Sequence, residues 1–147
     1  MRRSVAELHA DVREALVERL EEAPVSLALL FGSYATGNAT PGSDIDIGVV
    51  YDETLEEVTD VHLSLVADLI RILGRDDIDV VRLTSVDPRI AVEALETGRL
   101  LVGSSEDATR LRDRLETARK DQEDLVQHRI EDAERKIERR LQRREHG

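Results

Sequence analysis

The sequence predicts an α/β fold of the α+β kind: a small sheet flanked by helices, followed by a long C-terminal helical tail. Three observations predict it. Short apolar or alternating runs trade places with stretches of three- and four-residue periodicity, glycine and proline fall between them, and residues 104 to 145 contain neither glycine nor proline. Alternating strand and helix periods are the mark of a layered domain of sheet and helices. A chain of 147 residues is long enough for one ordinary domain, here residues 1–103, plus an appendage, here residues 104–147.

Val5, Leu8, Val12, Leu16 and Leu20 step by three and four, which predicts a helix over residues 4–22 that Pro24 ends. The run VSLALLF, residues 25–31, is short, apolar and bounded by Pro24 and Gly32, as a buried strand should be. Residues 32–37 read as a helical turn closed by Gly37, and NATPG as a loop. SDIDIGVVY, residues 43–51, alternates and predicts a second strand. Thr54 is expected to cap a helix reaching about Leu73, with Leu55, Val58, Val61, Leu65, Leu69 and Ile72 on one face and Gly74 as its stop. DIDVVRL, residues 77–83, is a third strand. Asp87-Pro88 starts a helix that Thr97-Gly98 ends, and RLLV, residues 99–102, is a fourth strand.

The tail opens on a capping pair, Ser104 with Asp107. Leu111, Leu115, Ala118, Gln122 and Leu125 step by four and three; Val126, Ile130, Ala133 and Ile137 repeat those steps one residue out of phase. This is a coiled-coil-like stripe with a break near Leu125. A continuous helix of about 40 residues would span roughly 60 Å, so it must fold back or project. Packing on its own domain and a partner-binding role, in hetero- or homo-oligomers, are both open to it.

Charge and composition exclude several classes. The net charge is −11, and residues 104–147 hold 12 acidic and 12 basic residues, so the whole excess sits on residues 1–103. Such a body repels phosphate backbones and argues against broad nucleic-acid binding unless metal ions intervene. Adaptation to high salt explains the same acidity equally well, Lys120 and Lys136 being the only lysines. Without cysteine there is no disulfide framework or thiolate zinc site. With no signal-peptide core and no apolar run long enough to cross a bilayer, the expectation is a soluble cytoplasmic protein with no membrane partner. His9, His62, His128 and His146 are scattered without ligand spacing and are expected at surfaces or interfaces.

The chemistry is concentrated in FGSYATGNATPGSDIDIGVVY, residues 31–51. In a strand Asp44 and Asp46 project to one side, and two carboxylates so placed repel. A divalent cation repays that cost, and magnesium suits a pair of carboxylates completed by substrate phosphates. A strand that turns into a helix at Gly32-Ser33 puts free backbone N–H groups where a phosphate can sit, and the serine hydroxyl adds a donor. Together these make a nucleoside triphosphate site. The third strand offers Asp77 and Asp79 on one face, and Asp79 is the better candidate for a base taking a proton from an attacking hydroxyl. The plain alternative is that Asp44 and Asp46 cap a turn on a solvated strand. Phe31 and Tyr51 read as core or rim residues, and Tyr34 could serve either the core or the nucleotide.

Gly32-Ser33, ten residues, Asp44-Ile45-Asp46, then the strand at Ile78-Asp79-Val80-Val81 resemble the DNA polymerase β-like nucleotidyltransferases. In size the chain is most similar to their minimal branch, the MNT antitoxins that pair with HEPN-domain toxins. The resemblance covers roughly residues 25–103 and implies a mixed sheet flanked by helices. It implies that Asp44 and Asp46 hold two magnesium ions, that Asp79 is both ligand and base, and that Gly32 and Ser33 hold the triphosphate of ATP. Thr36 stands where many members carry an arginine. The implied activity is transfer of AMP from ATP to a protein hydroxyl, a tyrosine of a cognate HEPN toxin. The alternatives are a non-catalytic antitoxin that neutralises its partner by occupancy, and a small-molecule nucleotidyltransferase of the aminoglycoside type.

Overall fold

The computed structural model describes residues 8–146, and its sheet grows from the two apolar runs nearest the Gly-Ser turn. Val25–Phe31 is β1 and Ile45–Tyr51 is β2, paired antiparallel with Phe31 opposite Asp46. Ile78–Arg82, β3, lies parallel to β2, and Arg99–Val102, β4, antiparallel to β1, so the strand order is β3-β2-β1-β4. The sheet is therefore mixed, as expected, and β3 and β4 are its edges. α1, Ala10–Glu22, ends before Pro24 as predicted; residues 4–7 of the predicted helix lie outside the described residues.

Side-chain alternation sorts each strand between two layers. Ala28 and Leu30 of β1 and Ile45, Ile47 and Val49 of β2 face α1 and α3, where Leu16, Leu20, Leu65 and Leu69 are fully buried. Removing a leucine of this kind from water is worth about 1.5–3 kcal/mol, so these four bind the two helices to the sheet. The opposite face carries Leu29 and Leu83 and is covered by Ala91 and Ala94 of α4, Pro88–Thr97, with Leu115 from the tail packed alongside. Asp87 caps α4 through the Arg89 amide at 2.9 Å, with Pro88 in the first turn, as its sequence foretold.

Several boundaries differ from expectation: α1 starts at Ala10, leaving Leu8 and His9 outside it, and β3 is one residue shorter at each end than residues 77–83. Thr54 caps no helix: its amide and hydroxyl both donate to Asp52 Oδ1, at 3.0 and 2.9 Å, forming a local turn after β2. Asp52 captures the hydroxyl locally, and α3, Val58–Leu73, starts four residues later. Ser43 and Asp44 fall outside β2 because Ser43 is tied into the turn at Thr40, its amide donating to the Thr40 carbonyl and its hydroxyl accepting from the Thr40 amide, both at 2.9 Å. Ile45 still donates to the Asp77 carbonyl at 3.0 Å, so pairing with the β3 chain reaches the edge of Asp44.

The tail is one helix, α5, Ser105–His146, with the Asp107 amide donating to Ser104 Oγ at 3.1 Å. Its first turns join the body: Leu111 is buried, and Arg112 pairs with Glu96 of α4 at 2.6 Å. Beyond Arg119 the helix projects. From Lys120 to Glu145 every residue except Asp132 is exposed, including Leu125, Val126, Ile130, Ile137 and Leu141. The phase break near Leu125 lies beyond that point, on the part of the helix already clear of the body. Pairs such as Arg119 with Glu123 and Arg135 with Asp132 run along the helix's own exposed surface, where solvent screens them.

Candidate active site

Three segments converge at one end of the sheet: the exit of β1 and the entries of β2 and β3. Gly32 leaves β1 at φ 69°, ψ −151°, a conformation that side chains with a Cβ avoid. The reason for glycine is also spatial. A Cβ at Gly32 would run into Asp46 Oδ2 and stand 3.3 Å from its Cγ, so the carboxylate of β2 lies directly over the turn that follows β1. Ser33 then opens α2, Ser33–Thr36, a single turn closed by Gly37 in the left-handed region. As at any helix start, its leading N–H groups lack intrahelical partners.

Asp46 and Asp79 are register partners on the parallel strands β2 and β3. Partners in a ladder share a face, and adjacent strands lie about 4.8 Å apart; Ile45 with Ile78 and Ile47 with Val80 alternate to the other face. Asp44, one residue ahead of β2, is exposed, yet its charge still bears on Asp46. Burial first, then the charge of Asp79, then that of Asp44, push the Asp46 carboxyl above the ordinary carboxylate range. No arginine or lysine among the described residues pairs with any of the three. Asp77, the alternative base, is held by the Arg75 guanidinium, which lowers its pKa. That leaves Asp79 as the β3 carboxylate on the side of Asp46.

The three aspartates are gathered but not closed into a cage. Among the described residues no group of three or more acidic, histidine or cysteine side chains stands close enough to enclose a metal ion alone. The donor set nonetheless fits magnesium. It is all hard oxygen, it carries uncompensated negative charge, and it leaves positions that water and phosphate oxygens fill in sites of this kind. The site is also open. A cleft of about 580 Å³ lies at the other end of β2 between Tyr51, Asp52 and the Arg110 and Arg114 of α5, away from the candidate site.

The other residues singled out in the sequence sort clearly. Tyr34 is buried in the α1–α3 layer, with its hydroxyl bonded to Arg75. Tyr51 is buried and Phe31 half-buried against the α4 layer. Thr36 is internal to its turn, its hydroxyl donating to the Gly32 carbonyl at 3.4 Å and accepting from Asn38 at 3.1 Å. His62 is more than a surface residue: Nδ1 meets Tyr51 Oη at 2.8 Å, and burial, then Arg82, lower its pKa. Arg75 belongs to no motif; its only local signal in the sequence is its place between the stop glycine of α3 and Asp77.

Comparison with known proteins agrees with this geometry. The family described as Polymerase beta, Nucleotidyltransferase matches residues 14–107. The protein adenylyltransferase MntA of Aphanizomenon flos-aquae (strain 2012/KM1/D3) is 35% identical over 100 residues, covering 63% of this chain and 67% of that protein. A chain of a toxin–antitoxin complex solved with AMP-PNP superimposes with TM-score 0.67 at 25% identity, over 82% of this chain and 97% of that one. A chain of the Shewanella oneidensis complex of a tri-AMPylated HEPN toxin with MNT antitoxin shares the fold, with TM-score 0.61 at 23% identity over 83% and 95% of the two chains.

Proposed function

This chain belongs to the polymerase beta nucleotidyltransferase family, and from that premise we propose that it transfers AMP from ATP to a hydroxyl of a protein partner, a tyrosine of a HEPN-domain toxin, and so acts as an antitoxin. The observation that carries the reading is the meeting of Asp46, Asp79 and Gly32 at one end of the sheet, with the charge of Asp44 added. Gly32 and Ser33 receive the triphosphate at the turn. Asp44 and Asp46 are the residues that would hold two magnesium ions, with Asp79 contributing as a ligand. When bound, magnesium supplies Lewis-acid neutralisation of the phosphate charge.

Asp79 takes the proton from the acceptor hydroxyl, whose oxygen forms a bond to the α-phosphorus as the bond from that phosphorus to the bridging oxygen of pyrophosphate breaks. Its exposure favours this role, because a protein side chain must reach it from outside. Residues 1–103 carry the chemistry, and the extension 104–147 supplies, on its exposed stripe, the surface that engages the partner. No helix among the described residues is long and apolar enough to cross a membrane, and the cytoplasm, where ATP is made and used, is the setting we assign to the reaction.

Incubation of the chain with ATP, magnesium and the cognate HEPN protein, followed by intact-mass measurement, tests the proposal. Mass increments of whole AMP units on the partner are the expected result. A partner bound but unmodified would instead favour neutralisation by occupancy.

A further inference from the structure

One side chain outside the candidate site touches all three segments that carry it. Arg75 follows Gly74, the left-handed residue that ends α3. Its Nη1 donates to Tyr34 Oη at 2.9 Å, its Nη2 donates to the Ser43 carbonyl at 2.7 Å, and Nε and Nη2 together grip the Asp77 carboxylate. Each contact is next to a site residue. Tyr34 follows Ser33 directly, Ser43 precedes Asp44 directly, and Asp77 stands just ahead of β3, two residues before Asp79.

The guanidinium works from behind. Tyr34 belongs to the apolar layer of α1 and α3 with Ile45 and Leu69, whereas Asp46 and Asp79 face the opposite side of the sheet. Arg75 also lies 5.9 Å from the centroid of the Tyr34 ring, within reach of a cation–π contact. Its side chain is only one-quarter exposed. Because its ion-pair partner is Asp77, it leaves the charges of Asp44, Asp46 and Asp79 uncompensated. Those charges push their segments apart, and the three-way grip of Arg75 opposes that spreading without neutralising it.

Resting on the nucleotidyltransferase reading of the site, we propose that Arg75 is its positioning residue, fixing the distance between the phosphate-binding turn at Ser33 and the carboxylates at Asp44 and Asp79. The planar fork of arginine makes this geometry, and the compact ammonium of lysine does not reproduce it. A displacement of about 1 Å in a catalytic group costs on the order of 10²-fold in rate.

The test compares wild type with Arg75→Met, Arg75→Lys and Tyr34→Phe in the full chain, below the thermal midpoint of each. Readouts are AMP transfer to the partner, AMP-PNP binding by calorimetry, and amide hydrogen exchange without nucleotide. Arg75→Met is expected to lower kcat by about 10²-fold while AMP-PNP affinity falls less than transfer does. Arg75→Lys should not rescue. Exchange should quicken at residues 33–34, 43–46 and 77–79 and stay unchanged in α1. If Arg75→Met does not fold, Tyr34→Phe, which removes one arm only, should still show a smaller loss of kcat with faster exchange at residues 33–34. Full rescue by lysine, turnover per folded molecule within about twofold of wild type, or exchange that quickens throughout the body would each overturn the proposal. Failure of the wild type itself to transfer AMP would overturn the underlying reading, and this proposal with it.

Discussion

The sheet body and the outer part of α5 are built on opposite plans. In the body most large apolar residues are inside, Leu63 and Ile90 excepted, and the excess acidity is outside; Leu16, Leu20, Leu65 and Leu69 have no contact with water. Along the outer helix, Val126, Ile130, Ile137 and Leu141 are about half exposed, and acidic and basic residues balance. The body buries most of its large apolar side chains, whereas the outer helix lays out a stripe that no described residue covers. If the body carries the chemistry and the outer helix the recognition, as proposed, substitutions in one should leave the other's property alone.

The largest effect should come from Asp44→Asn or Asp46→Asn in the body. A bound metal contributes several kcal/mol to transition-state stabilisation, and each 1.4 kcal/mol is a factor of ten, so transfer should fall at least about 10⁴-fold. The fold and partner capture should persist. Near wild-type transfer at saturating magnesium would show that the two-carboxylate site is wrong. Next, Asp79→Ala should lower kcat by about 10²–10³-fold with a smaller change in AMP-PNP affinity, as expected of a general base; equal losses would reduce it to a ligand.

The outer helix supplies the converse. Deleting residues 126–147 should weaken partner capture at least about tenfold, some 1.4 kcal/mol, while AMP-PNP binding and the thermal midpoint stay near wild type, because from Val126 to Glu145 every side chain but Asp132 is exposed. A pull-down with calorimetry decides it, and undiminished capture would return recognition to the body.

The smallest effect is a pH dependence of stability. The Asp46 carboxyl is raised in the folded protein, so its charged form is disfavoured there and the native state holds extra proton between the ordinary carboxylate value, about 3.9, and the raised one. Stability conferred by this group thus declines as pH rises through that window. Asp46→Asn should melt slightly higher than wild type at neutral pH, and the advantage should shrink as the pH falls toward 3.9. An advantage that grows in acid would contradict the cause assigned to the shift.

Much of this was legible in the sequence because it depends on local rules. Period and punctuation marked the four strands, and Asp87-Pro88 and Thr97-Gly98 bounded α4. The spacing of Gly32-Ser33 and Asp44-Ile45-Asp46 singled out the segments that the sheet brings together. What escaped depends on competition or on distance. Thr54 had an acceptable capping pattern but was taken by Asp52, and the strand alternation did not reach Asp44 because Ser43 closes a turn on Thr40. The sequence already favoured Asp79 over Asp77; that Asp77 is held by Arg75, from the end of a helix, depends on a contact no local pattern announces. The direction of the tail, projecting instead of folding back, depended on how few positions the body offers it past Arg119.

The strand order β3-β2-β1-β4 puts β3 at an edge. An edge strand exposes backbone donors and acceptors to any passing chain, and charged side chains are a common guard against such pairing. Asp79 sits in that strand among Ile78, Val80 and Val81, so the carboxylate proposed to take the acceptor's proton is also an obstacle to sheet-to-sheet growth. Replacing Asp79 by valine would turn the strand into an uninterrupted β-branched run of Ile78 to Val81. Such a variant should scatter light and sediment on warming, where Asp79→Asn stays dispersed. Selection for solubility alone would then keep an acidic residue at this position even in a descendant that had given up catalysis.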